Sequence, residues 1–160
     1  MNNRYVTRTG GPARIIVSRI LPGSDLLQAI KGIVAEEGMR SGIIVSAVGA
    51  MERVRLRNLR KVPKSYPITD ANRAFAVIGK TCEILTLSGD IYKVEGEVQP
   101  QVHVHGVFSF MDEGVISTVG GHLLDGCIVV GFAEVYLMEL AGIEMIKGFD
   151  KETQTSQLFA

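Results

Sequence analysis

The sequence predicts an α+β fold, a mostly antiparallel sheet with one main helix packed on it, and three observations carry that expectation. Only one segment, Leu26 to Gly38, sets its apolar residues at helical spacing. From Phe75 onward the pattern is almost wholly that of strands separated by turn residues. The order is one strand, one helix and then many strands, not the regular strand-helix alternation of a parallel sheet.

Taken in order, Ala13 to Ile20 (ARIIVSRI) reads as the first strand. LPGSD breaks it, and Ser24 or Asp25 offers an N-cap for a helix carrying Leu26, Leu27, Ile30, Ile33 and Val34 on one side. Gly38 ends that helix. SGIIVSAVGAM and RVRLRNL follow as strands, and Arg60 to Asn72, with Pro63 and Pro67, reads as an excursion. FAVIGKTCEILTLSGDIYKVEGE, HVHGVFSFMDEGVISTVGGH and CIVVGFAEVYLMEL are strand-rich, with a shorter tail strand near GIEMIKGF. Turns are expected at Ser88–Asp90, Asp112–Gly114 and Asp125–Gly126. No repeat, low-complexity segment or linker divides the chain, so one domain over residues 1–160, with its core at about 13–158, is expected.

The composition agrees. A chain of 160 residues is long enough to bury roughly two thirds of its unfolded surface without staples. Hydrophobic residues make up 46% and charged ones 21%, and the absence of Trp points to an aliphatic core. Glu134, Glu139 and Glu144 interrupt the one long apolar stretch, and the N-terminus has no apolar leader, so a soluble, cytoplasmic protein is expected, with no membrane partner. Cys82 and Cys127 lack C-x-x-C spacing and read as reduced, buried thiols.

Net charge is zero, but residues 1–64 hold twelve Lys or Arg against four Asp or Glu, and residues 65–160 hold five against thirteen. Such a split marks a basic binding face or two ends that attract one another between subunits. Arg53, Arg55 and Arg57 alternate along a strand and so share a face, with Arg60 just beyond. That row is either a track for nucleic-acid phosphates or a solvated sheet face. GKT at Gly79–Thr81 is not a phosphate loop, because Ala74 stands where the first glycine is needed and no helix follows.

The three histidines of the chain all fall in one β-patterned stretch, His103 and His105 at one end and His122 at the other. His103 and His105 share a strand face, roughly 6–7 Å apart. A turn centred between Asp112 and Glu113 would make His103 the direct cross-strand partner of His122, with Cβ atoms about 5 Å apart. Val104, Phe108, Phe110, Val115, Val119 and Gly121 would then face the core, and the histidines the other side, whereas a slip by one residue would part them. Three neutral imidazoles with an open fourth position form the ligand set of catalytic zinc, and also suit other divalent ions. Glu83, a charge between apolar residues, is the expected neighbouring carboxylate, with Glu134 a rival on the same argument.

CEILTLSGDI, HVHGVFSFMDEGVISTVGGHLLDG and AEVYLMEL, in that order after a β-α-β start and before FDKETQTSQL, resemble the plants-and-prokaryotes-conserved (PPC) domain family over about Arg14 to Leu158. The resemblance implies one helix against an antiparallel-rich sheet, assembly as a homotrimer, and a metal site at His103, His105 and His122, with Glu83 as a site neighbour. Family members are often described as DNA-binding, largely through plant relatives that carry an AT-hook, and no R-G-R-P segment is present here. Acetolactate decarboxylase, a more remote likeness, holds zinc with three histidines.

Two functions are therefore expected. The first is a trimeric, zinc-holding binding or regulatory module, associated with DNA through Arg53, Arg55, Arg57 and Arg60. The alternative is a metal-dependent lyase or hydrolase acting on a small carbonyl or carboxylate compound, with Glu83 as the proton carrier.

Overall fold

In a computed structural model of the chain, which describes residues 5–61, 63 and 65–160, one α-helix packs on a long-stranded sheet. Lys64, the last lysine of the basic run, lies outside the described residues.

Strand β1 (Gly11–Ile20) leads through a tight turn to helix α1 (Leu26–Glu36). Asp25 caps the helix, its carboxylate accepting from the Gln28 backbone N–H at 3.1 Å and also from that of Gly126. Leu26, Leu27, Ile30 and Val34 fall on the buried side, each contributing roughly 1.5–3 kcal/mol by leaving water. Gly38 follows with a positive φ of 64°, the left-handed conformation that ends helices.

The remaining strands are β2 (Gly42–Leu59), β3 (Arg73–Ile78), β4 (Cys82–Val94), β5 (Gln101–Asp112), β6 (Val115–Leu123), β7 (Ile128–Ala141), β8 (Ile146–Asp150) and β9 (Thr155–Leu158). The sheet order is β1-β7-β2-β6-β5-β4-β8-β9. SGIIVSAVGAM and RVRLRNL, expected as two strands, are one strand, β2, that changes partners along its length. Its first half lies between β7 and β4, and its second half between β3 and β6. The circuit β2-β4-β5-β6-β2 thus closes on itself, which leaves the histidine-bearing hairpin no free edge at β2. Every pairing is antiparallel except that of β8 along β4.

Phe108, Leu87, Met51 and Leu137 fill the interior with the helix residues, and both cysteines are buried free thiols. Among the described residues, no helix is long and apolar enough to cross a membrane. GKT joins β3 to β4 with no helix after it.

Two turns differ from expectation. Ser88–Asp90 is not a turn but the middle of β4. Gly89 is there for closeness: a Cβ at that position would collide with the His103 carbonyl oxygen on β5. The β5–β6 turn centres on Glu113 and Gly114, one residue later than expected. Both have positive φ, 47° and 83°, as a two-residue type I′ hairpin turn requires. The tail also carries a strand beyond the expected one, β9, paired with β8.

Candidate metal centre

The later turn moves the register by a full two-residue step, so His105, not His103, faces His122 directly. Parity survives, and with it the face. Gly106 and Phe108 turn inward opposite Gly121 and Val119, with Val104 and Leu123 buried beside them, while the three histidines turn outward. Val115, expected in the core, is exposed at the hairpin end. His103 reaches the cluster diagonally, and on its other side it pairs with Asp90 of β4.

The rings converge. Centroids lie 5.0 Å apart for His103 and His105, 4.8 Å for His103 and His122, and 5.4 Å for His105 and His122. One ligand nitrogen from each lies within 4.8 Å of the others, and the Nε2 atoms of His103 and His105 are 3.2 Å apart. Two lone pairs that face each other at this distance repel unless a proton or a cation lies between them.

The surroundings keep two of the imidazoles, His103 and His122, neutral. Burial, then the positive Arg57, pushes His122 down to about 4 from its ordinary 6.5. Burial, followed by Lys147 and His105, also lowers His103, against the opposing pull of Asp90. Arg57 Nη2 lies 3.0 Å from His122 Nε2, and because a guanidinium only donates, that nitrogen accepts, so a cation bound at Nε2 would take this lone pair in place of Arg57. Asp90 Oδ2 lies 3.9 Å from His103 Nδ1, beyond hydrogen-bond range, while Nε2 of that ring points to His105. Imidazole nitrogens that crowd together on an open face, with the Asp90 carboxylate nearby, fit a divalent cation.

Glu83 is not part of this arrangement. It is exposed on β4 opposite Ser109, four residues along β5 from His105, or roughly 13 Å. Its setting between Cys82 and Ile84 reflects simple in-out alternation, and the carboxylate beside the histidines is Asp90. Glu134 faces Arg19 and Val48 on the sheet beyond and accepts from the Tyr136 hydroxyl. The arginine row separates by role: Arg53 Nε donates to the Gly126 carbonyl at 3.1 Å and Arg55 Nη1 to the Asp125 carbonyl at 2.9 Å. Arg57 joins the histidines, and Arg60 is exposed past the end of β2.

A cleft of about 800 Å³ opens at the cluster, with His103, His122, Arg57 and Asp90 on one side and residues of β8 and β9 on the other. Lys147 of β8 stands there, 3.5 Å from Asp90 Oδ2 and 3.6 Å from the centre of the Tyr92 ring. No sequence signal marks Lys147. Asp90 was hidden because SGD is also a turn signature.

The sequence profile of the Plants and Prokaryotes Conserved (PCC) domain matches residues 7–141. Among solved structures, a metal-containing protein from Archaeoglobus fulgidus superimposes with a TM-score of 0.75 at 22% identity, covering 98% of this chain and 100% of that one. A protein from Bacteroides thetaiotaomicron described as a candidate DNA-binding protein gives 0.69 at 18% identity, covering 94% and 97%. Among curated proteins, the bifunctional protein GlmU of Synechococcus sp. (strain JA-3-3Ab) is 28% identical over 129 residues. That match takes in 81% of this chain but spans only 18% of the length of that relative.

Proposed function

The chain belongs to the Plants and Prokaryotes Conserved (PCC) domain family, and from that membership we propose a trimeric binding and regulatory module whose His103, His105 and His122 hold one divalent metal ion. Zinc is the ion this ligand set suits first. The observation that carries the reading is the convergence of three imidazoles, two of them held neutral, on a face that opens to a cleft. Elemental analysis of protein purified without added metal tests it. About one equivalent of ion per chain, lost in the His105→Ala variant, is expected; less than roughly a tenth of an equivalent, with no uptake on titration, overturns it.

Homotrimer formation is the assembly we assign, following the family resemblance. Ile15 and Val17 on β1 and Val48 on β2 are 64%, 61% and 46% exposed, on the side of the sheet away from the helix. A patch of this kind on an edge strand needs covering. Light scattering should give three times the chain mass of 17.4 kDa, and a monomer mass would remove this part.

The cleft beside the histidines favours a second reading, a metal-dependent lyase or hydrolase acting on a small carbonyl or carboxylate compound. A bound divalent ion would supply Lewis-acid polarisation of a carbonyl or acidification of water. In that reading Asp90 orients His103, Arg57 and Lys147 hold the negative end of a substrate, and β8 with β9 keeps water from the wall of the cleft. DNA association draws on the description of structural relatives and on exposed Arg53, Arg55 and Arg60. Filter binding over a salt series decides it: steep loss with rising salt supports DNA contact, and no signal at low salt removes it.

A further inference from the structure

Arg57 is a half-buried cation without an anion. Its only side-chain hydrogen bond among the described residues goes to a neutral imidazole nitrogen, His122 Nε2 at 3.0 Å. The nearest acidic influence on it, Asp70, is paired with Arg73. A guanidinium removed in part from water is costly unless a carboxylate or phosphate meets its fork of donors. Arg53 and Arg55, on the same strand face, show the contrast, since backbone carbonyls occupy both.

Lys147 approaches the same cleft from the opposite wall. Its side chain is only 13% exposed, and Asp90 neutralises it from 3.5 Å. The charged groups that line the cleft are Arg57 and Lys147 against Asp90 and Glu97, a balance that one divalent ion would tip to positive. The lining is not polar throughout. Val94, Val102 and Leu158 offer an apolar wall, and Tyr92 a ring, so a carbon skeleton has somewhere to lie.

We propose that this cleft binds a short organic carboxylate, its carboxylate on Arg57 and Lys147 and its second oxygen toward the three histidines. The inference rests on the metal reading above for the second oxygen, and on Arg57 and Lys147 alone for the carboxylate. Because Arg57 already touches His122, a ligand that reaches both the guanidinium and the histidine cluster is short. The profile match ends at residue 141, and Lys147 with the β8–β9 hairpin follows it.

The test uses the cobalt-loaded protein, with the visible absorption of the ion as readout, titrated with pyruvate, with its neutral amide pyruvamide and with inorganic phosphate. Pyruvate should shift the spectrum saturably and bind more tightly than either of the others. Arg57→Gln should still take up cobalt but bind pyruvate about ten-fold more weakly or worse, as loss of a charge-assisted pair implies. Lys147→Gln should weaken pyruvate in the same direction, and Arg53→Gln, outside the cleft, should match the parent. Equal binding of pyruvate and pyruvamide, preference for phosphate, or an unchanged Arg57→Gln overturns the proposal. Calorimetry with pyruvate on chelator-treated protein separates the two claims. Failure to take up cobalt refutes the metal reading; Arg57-dependent heat from pyruvate then still upholds the carboxylate site, and no heat in either form refutes it.

Discussion

The two faces of the β5–β6 hairpin are built from the same alternating strands and have opposite duties. Inward, Val104, Gly106 and Phe108 meet Gly121, Val119 and Leu123, and Phe108 is fully buried. Outward, His103, His105 and His122 meet one another, and His105 is exposed. One face supplies stability, and the other presents donors that the folded sheet aligns but does not need. A two-residue period thus carries a core and a site in one segment, provided register is held to an even step.

That division is open to attack from both sides, and the largest effect should come from the inward one. Phe108→Ala should cost about 3–5 kcal/mol in a denaturant unfolding experiment, because it empties the centre of the core. A loss below about 1 kcal/mol would mean that the inward face is not where stability lies. On the outward face, His105→Ala should weaken metal binding by at least roughly 100-fold, beyond what removal of an outer-shell partner costs, while unfolding of the metal-free protein changes by no more than about 0.5 kcal/mol. A competition titration with a chromophoric chelator reads the first, and urea unfolding the second.

Gly89 joins the two faces. Gly89→Ala would force β4 away from the His103 backbone, and should cost about 1–3 kcal/mol while also spreading the histidines. If that variant keeps both stability and metal affinity, the close approach of β4 to β5 is not what positions His103. The smallest effect is that of pH. His122 is held at about 4 in the folded chain against an ordinary 6.5, so the unfolded chain binds the proton more readily. Thermal stability of the chelator-treated protein should be level in this respect above pH 6.5, fall as pH drops toward about 4, and level off below it. His122→Gln should flatten that slope, and an unchanged slope would separate the proton uptake from His122.

Much of this was legible in the sequence. Helix α1 announced itself because Asp25, four buried apolar positions and Gly38 all agreed locally. The shared face of the histidines was legible too, since parity depends only on an even step in the loop. The partner of His122 was not, because it hangs on whether Glu113 or Asp112 adopts positive φ, a choice made by Gly114 at the second turn position. Asp90 was lost to the turn signature of SGD, where Gly89 in fact answers a tertiary approach that local pattern cannot reveal. Glu83 drew attention as a charge among apolar neighbours, which is what the outward position of any alternating strand looks like. Lys147 and Arg57 line one cleft from β8 and β2, a juxtaposition set by the sheet order alone.

The most direct test of a three-histidine metal centre is X-ray absorption at the zinc edge on the zinc-loaded protein. Three imidazole nitrogens completed by oxygen are expected around the ion, reduced to two imidazoles or lost altogether in His105→Ala. A first shell containing sulfur from Cys82 or Cys127, or a spectrum unchanged by His105→Ala, would contradict it.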